Sequence, residues 1–373
     1  MAKRKRRRNS NAWIQASVGV FCAMIVIVFV IVLLLQSGKP RSRQVTVSNQ
    51  TQPVQTGAVT EPPTEAPTDP PITLEFPTED TSVTNLTASN VYCNNAVLVC
   101  LDDMKILAQR DPKMRIYPAS MTKIMTLLIA AENIENLDDT FTMTYEIIAP
   151  LIQADASRAG FAEEEVITMH DILYGIALPS GADATTAAAI YVAGSEEAFV
   201  ELMNEKAQAL GLKDTHFTNA SGLHDKNHYS TALDIAMLMS YVMENDICRE
   251  VLGTYQYTTS KTEQHPEGIP LVSTMYSRMY GTEVTDITIE AGKTGYTDEA
   301  GHCLVSYATD AEGKHYIAVT AGGAISYWKA IFDTFAIYGV IDGGYPMPTD
   351  IEIEAETDEN GEPLTTDEQE EAA

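Results

Sequence analysis

Cysteine is scarce, with 5 in 373 residues. Cys22 lies in an apolar run, and Cys93, Cys100, Cys248 and Cys303 are scattered with no C-x-x-C pair. That spacing argues against a zinc framework. A chain this long also has core enough to fold without an essential disulfide. Positive charge is sparse beyond the N-terminus. Residues 1–43 hold 9 of the 24 Lys and Arg and no acid, which leaves 15 bases against all 52 Asp and Glu, a balance of −37. Such a surface repels nucleic acid, which needs a basic footprint. No internal repeat is present, so a solenoid is excluded.

The basic N-terminus has a different explanation. "KRKRRR" (Lys3–Arg8) precedes an uncharged run from Trp13 to Leu35, and Lys39, Arg41 and Arg43 follow it. The run is long enough to cross the roughly 30 Å hydrocarbon core as a helix. No A-x-A-like cleavage site comes next, so an uncleaved signal anchor is expected over residues 12–36 rather than a long cleaved signal peptide. The charge bias places residues 1–11 in the cytoplasm and the rest outside. Residues 37–88, centred on "TEPPTEAPTDPP", contain too few apolar groups for a core and read as a disordered, partly polyproline stalk. If flexible, it spans on the order of 40 Å. The acidic end, 347–373, reads as a disordered tail.

Residues 89–346 form the expected folded domain. "NAVLVCLDD" and "KILAQRD" predict two short strands joined by a turn, and Pro118 introduces an apolar helix, "SMTKIMTLLIAAEN". A mostly helical region follows. In it, Ser195 caps a helix that opens with Glu196 and Glu197 and stops at Gly211, with Phe199, Met203 and Leu210 on its core face. Thr231 and Asp234 are spaced as a capping box. "VTDITIEAGKTG", "GHCLVSYATD" and "KHYIAVTAGG" predict an antiparallel meander, and "SYWKAIFDTFAIYGV" a closing amphipathic helix. Strands, a helical insert, then strands imply one α/β (α+β) unit: an antiparallel sheet covered by helices, plus a helical lobe.

Three short motifs carry the chemistry. "SMTK" sets Ser120 and Lys123 three apart, on one helix face. A serine hydroxyl is a weak nucleophile until a neighbour takes its proton, and lysine serves if burial and nearby cations lower its pKa. "LPSGADATTAAA" places Ser180 in an apolar stretch where Pro179 and Gly181 break the helix. "GKTG" puts Lys293, Thr294 and Gly295 on a predicted strand, where a cation and a hydroxyl hold a carboxylate and glycine admits a ligand close to the backbone. Each motif alone is weak, and each has an ordinary structural reading. "HDKNH" (His224 to His228) has metal-ligand spacing, but Gly222 and Asn227 suggest a loop, so no metal or other cofactor is expected.

In this order the three motifs form the signature of penicillin-binding proteins and class A β-lactamases. The sequence resembles the low-molecular-mass D-alanyl-D-alanine carboxypeptidases, the type-5 penicillin-binding group, from about Asn90 to Gly344. The likeness rests on "YPASMTKIMT", "ILYGIALPSGADA", "FVELMNEKAQALGLKDTHFTNASGL", "HYSTALDIAML" and "GKTGYTDEAGHCLVS". It implies a β-lactamase/transpeptidase-like fold with a five-stranded antiparallel sheet. It also implies serine-type removal of the terminal D-alanine from peptidoglycan stem peptides outside a bacterial membrane, with β-lactams as covalent inhibitors. By resemblance Ser120 is the acylated nucleophile and Lys123 its general base. Ser180 relays protons and contacts Lys123, and Lys293 and Thr294 bind the substrate carboxylate. Gly295 lies where the strand pairs with the peptide, and the N–H groups of Ser120 and Tyr296 form the oxyanion hole.

The sequence departs from the family pattern at Ala182, where Ser-x-Asn is usual, so an amide that meets substrate and lysine is missing. It is also too short after "GKTG" for the all-β domain of many relatives, and its anchor is N-terminal rather than C-terminal. Three other readings use the same residues: a catalytically weak wall-peptide-binding protein, a D,D-endopeptidase, and a β-lactamase using a glutamate of "FAEEEVITMHD".

Overall fold

A computed structural model describes residues 74–279, 286–323, 326–341 and 343, all within the compact unit Asp69–Ala373. The predicted anchor (12–36), most of the stalk and the acidic tail lie outside the described residues. Among the described residues no helix is long and apolar enough to cross a membrane.

The main sheet has six strands: β1 (Thr78–Asn85), β2 (Asn95–Cys100), β3 (Lys105–Arg110), β4 (Ile287–Gly295), β5 (His302–Asp310) and β6 (His315–Gly323). They lie in the order β1-β3-β2-β6-β5-β4. The five from β3 to β4 are antiparallel throughout, as the meander and the opening hairpin predict. Two expectations are corrected by β1. It adds a sixth strand, and it runs parallel to β3. It also occupies residues assigned to the stalk. The polar "TEDTSVTN" satisfies its backbone on the edge of β3, and Leu74, Phe76 and Val83 pack against the core. An edge strand needs only one covered side, so its sparse apolar content does not prevent pairing.

All six residues of β2 are buried, which marks a strand covered on both faces. Val97 and Val99 face the helical lobe, while Ala96, Leu98 and Cys100 face the other side with Ala336, Ile337 and Tyr338. The helices of seven or more residues are α1 (Lys123–Asn133), α2 (Tyr145–Gln153), α3 (Met169–Ala177), α4 (Ala182–Ala193), α5 (Glu196–Leu210), α6 (Ala232–Val242), α7 (Asp246–Leu252) and α8 (Tyr327–Tyr338). Helix α8 covers one sheet face and α6 the other. Helix α5 begins at Ser195, whose hydroxyl accepts the N–H of Ala198, and ends at a left-handed Gly211; Phe199, Met203 and Leu210 are buried. At α6 the Thr231 hydroxyl accepts the N–H of Asp234, but the Asp234 carboxylate turns to Asp214 and Thr215 instead of closing the box.

Helix α1 sits at the centre. Every residue from Lys123 to Ala131 is buried, against α3, α4, α5 and α6. A helix apolar on all sides belongs in the middle of a core. Its first residue is therefore forced into low-dielectric surroundings. The four described cysteines, Cys93, Cys100, Cys248 and Cys303, are buried free thiols.

Candidate active site

Ser120 stands on a 3-10 turn, Ala119–Thr122, that leads directly into α1. In a 3-10 turn residues three apart are eclipsed, which brings Ser120 and Lys123 over one another. Lys123 Nζ lies 2.9 Å from Ser120 Oγ and donates to the Ser221 carbonyl at 2.7 Å. Ala119, just before the serine, has φ +46°, an uncommon conformation for a residue with a Cβ.

The turn is squeezed between two glycines. A Cβ on Gly222 (φ +87°) would sit 1.9 Å from the Ala119 carbonyl oxygen. A Cβ on Gly295 would meet the Pro118 oxygen and the Ser120 nitrogen at 3.0 Å. Only glycine permits the first approach, and any side chain at the second would push on the turn's main chain. β4 is the last strand in the sheet order, so Gly295 brings a sheet edge against the serine's main chain.

Ser180 lies at the junction between α3 and α4, with φ +65°. The Pro179-Ser180-Gly181 break is thus a sharp corner that turns a hydroxyl into the cleft. Its hydrogen bond differs from the expected one. Lys293 Nζ, not Lys123 Nζ, donates to Ser180 Oγ, at 2.9 Å. Lys293 also donates to the Thr294 carbonyl at 3.0 Å, and the Thr294 hydroxyl bonds that of Thr274 at 2.7 Å. Ala182, the first residue of α4, is buried and lines the cleft without any polar side-chain group.

The two lysines are 3% and 1% exposed, which decides their chemistry. Burial lowers the pKa of Lys123 to about 7, against a smaller upward pull from Asp183. Burial also takes Lys293 well below the usual lysine range, and the positive charges of Lys123 and Arg278 add to the effect. At neutral pH Lys123 therefore has a substantial neutral fraction able to accept a proton.

These groups open onto one cleft of about 600 Å³. Ser120, Lys123, Ser180, Ala182, Ser221 and Thr294 line it, and Gly295 and Tyr296 stand where β4 ends. Tyr296 is exposed and stacks on His302 at 4.4 Å. Lys293 reaches the site through Ser180.

Sequence reasoning missed the loop that holds Lys123. Asn219 Oδ1 accepts the N–H groups of Ser221 and Gly222, and the Thr126 hydroxyl donates to the Ala220 carbonyl at 2.6 Å. His228 bonds the Thr122 hydroxyl through Nε2 at 2.7 Å and accepts the Thr218 N–H through Nδ1. "HDKNH" is indeed a loop, and its second histidine braces the turn that carries the serine. The key acceptor, Ser221, acts through its main chain and leaves no residue-type signal; "NASG" as a tight turn was the one available hint.

The family model for D-alanyl-D-alanine carboxypeptidase matches residues 81–324. The chain belongs to this family. D-alanyl-D-alanine carboxypeptidase DacF of Bacillus subtilis (strain 168) is 35% identical over 215 residues, 57% of this chain and 53% of that protein. DacA of Escherichia coli (strain K12) is 31% identical over 233 residues, 61% of this chain and 55% of the relative. The chain thus spans little more than half the length of these curated relatives. Among solved structures, the Streptomyces K15 DD-transpeptidase superposes with a TM-score of 0.60 at 27% identity, covering 69% of this chain and 98% of that one. Penicillin-binding protein 5 from Haemophilus influenzae gives 0.60 at 26% identity, over 69% and 73%. The mixed sheet and helical lobe are those of the DD-transpeptidase/β-lactamase-like fold.

Proposed function

We propose that this protein is a serine D,D-carboxypeptidase that removes the terminal D-alanine from peptidoglycan stem peptides. The observation that carries the reading is the 2.9 Å approach of a buried Lys123, with a pKa of about 7, to Ser120 Oγ. Ser120 Oγ attacks the carbonyl of the penultimate D-alanine while its proton passes to Lys123 Nζ. The N–H groups of Ser120 and Tyr296 stabilise the oxyanion. The tetrahedral species collapses, the C–N bond breaks, and the leaving amine takes a proton relayed through Ser180. Water then hydrolyses the ester and frees Ser120. Lys293 and Thr294 hold the substrate's terminal carboxylate, and the β4 edge at Gly295 pairs with the extended peptide. β-Lactams would acylate the same hydroxyl.

In this reading the segment 12–36 anchors the enzyme in a bacterial membrane, with its N-terminus in the cytoplasm and residues 37–73 spacing the catalytic domain from the outer surface. Mass spectrometry of the products from defined muropeptides tests the activity. Loss of one alanine supports it; cleavage of cross-links assigns an endopeptidase; opened β-lactam formed in many turnovers assigns a β-lactamase. A second reading, a wall-peptide binder with poor turnover, is favoured by the apolar side chain of Ala182 in the cleft. Covalent penicillin labelling without D-alanine release would establish it.

A further inference from the structure

The second motif contains a buried acid that the reaction above does not use. Asp183 is 1% exposed at the start of α4. Its Oδ1 accepts the N–H of Ala159 at 2.7 Å and its Oδ2 that of Gly160 at 3.1 Å. One residue earlier, the Ala182 N–H donates to the Ser157 carbonyl at 2.8 Å. The corner that presents Ser180 thus grips residues 157–160 through a carboxylate and a main-chain donor together. The grip matters because residues 154–157 form a wall of the cleft, and Asp155, Ser157, Arg158 and Gly160 are exposed, with little packing of their own. Space is tight around the acid: a Cβ on Gly181 would lie 2.6 Å from Asp183 Oδ1 and 2.7 Å from the Ala159 nitrogen.

Asp183 also lies in the first turn of α4, which packs against α1, the helix that opens with Lys123. The charged groups around Lys123 are Asp183 from α4, Lys293 from β4 and His228 from the 218–228 loop. His228 is held neutral by burial, and burial also lowers the basicity of Lys293. Asp183 is the one acid among them.

We propose that Asp183 is a positioning residue with two tasks: its carboxylate holds Ala159 and Gly160 and so anchors the adjoining 154–157 wall of the cleft, and its charge stabilises the protonated form of Lys123. The second task rests on Lys123 being the proton acceptor; the first does not. Replacing the acid by its amide disturbs both, and the plateau and the limb of a pH profile report on them separately. In Asp183→Asn one N–H of the Ala159–Gly160 pair meets an NH2 group instead of an acceptor, and the charge is gone.

Penicillin acylation of the full chain, followed against pH, is the readout for Asp183→Asn. The plateau rate should fall about tenfold to a hundredfold, as when a site wall is displaced by a fraction of an ångström to an ångström. The ascending limb should move to lower pH, because losing the acid leaves Lys123 easier to deprotonate. A lowered plateau with an unmoved limb overturns the electrostatic task, and a plateau within twofold of wild type overturns the anchoring. Amide hydrogen exchange of the unaltered protein adds a check that needs no variant. The N–H groups of Ala159 and Gly160 should be protected although Gly160 is exposed, and fast exchange at both overturns the anchoring. If the unaltered protein takes no penicillin label, the enzymatic reading has failed, while the exchange result still decides the wall.

Discussion

Lys293 Nζ donates to Ser180 Oγ at 2.9 Å across 113 residues of sequence. Lys123 stands at the same distance from Ser120 Oγ. The cleft thus holds two lysine–serine pairs, one for each hydroxyl, and the pairs do not share a hydrogen bond. Each lysine is buried and loses basicity as a result.

The pairing makes Ser180 and Lys293 partly one unit. Ser180→Ala should lower kcat/KM for D-alanine release about 10²- to 10⁴-fold, the range of a lost acid–base group. Lys293→Ala should lower it at least as far, since in the proposed mechanism it also removes a partner of the substrate carboxylate. The double variant should lose less than the product of the two single losses, because both act through one hydrogen bond. Full multiplicativity would mean the bond between them has no part in the reaction.

The pH profile follows from Lys123. Only its neutral form accepts the serine proton, and burial places its pKa at about 7. Second-order acylation by a penicillin should therefore rise with pH, with its midpoint near 7, and then level off. An ordinary exposed lysine would place that midpoint above pH 10. A limb up there would remove Lys123 from the role.

Much of this arrangement was legible in the sequence, and the reasons differ by element. The helix from Glu196 to Leu210 could be read to the residue because cap, acidic first turn and terminal glycine are all local signals. The three-strand meander was legible from alternation and turns. The edge strand Thr78–Asn85 was not, since its pairing with β3 uses main-chain groups and its side chains are polar. In the site, motif order brought Ser120, Lys123, Ser180 and Lys293 together, but it could not choose which lysine bonds which serine. That choice depends on the left-handed corner at Ser180 and the depth of β4. Asp183 and the Ser221 carbonyl were missed because an acid at a helix start and a main-chain oxygen both look ordinary in a sequence.

His228 should make the fold sensitive to acid. Burial lowers its pKa from 6.5 to about 4, and His302 is lowered to about 4 by burial with a further push from Arg278. Between pH 6.5 and 4 the unfolded chain binds these protons and the folded chain does not. Stability is then full above the unfolded pKa and is lost as pH falls through that window. The nearly buried His228 contributes about 3 kcal/mol at most. Thermal melting should show a steeper fall between pH 6.5 and 4 in the wild type than in His228→Asn. Parallel curves would show that His228 does not couple folding to pH.

Ala182 gives the most direct test of how complete the cleft is. It lines the wall beside Ser180, and its main-chain N–H is already committed to Ser157. Ala182→Asn leaves that bond in place and adds a side-chain amide where the family pattern has one. A single new hydrogen bond formed with substrate is worth about 1 kcal/mol, or roughly fivefold in kcat/KM. D-alanine release from a pentapeptide should rise by about that factor, with melting temperature confirming that the larger side chain fits. Unchanged release and unchanged penicillin acylation would mean that the cleft works without the amide. A fall in release at unchanged stability would mean that the space beside Ala182 is itself used by the substrate.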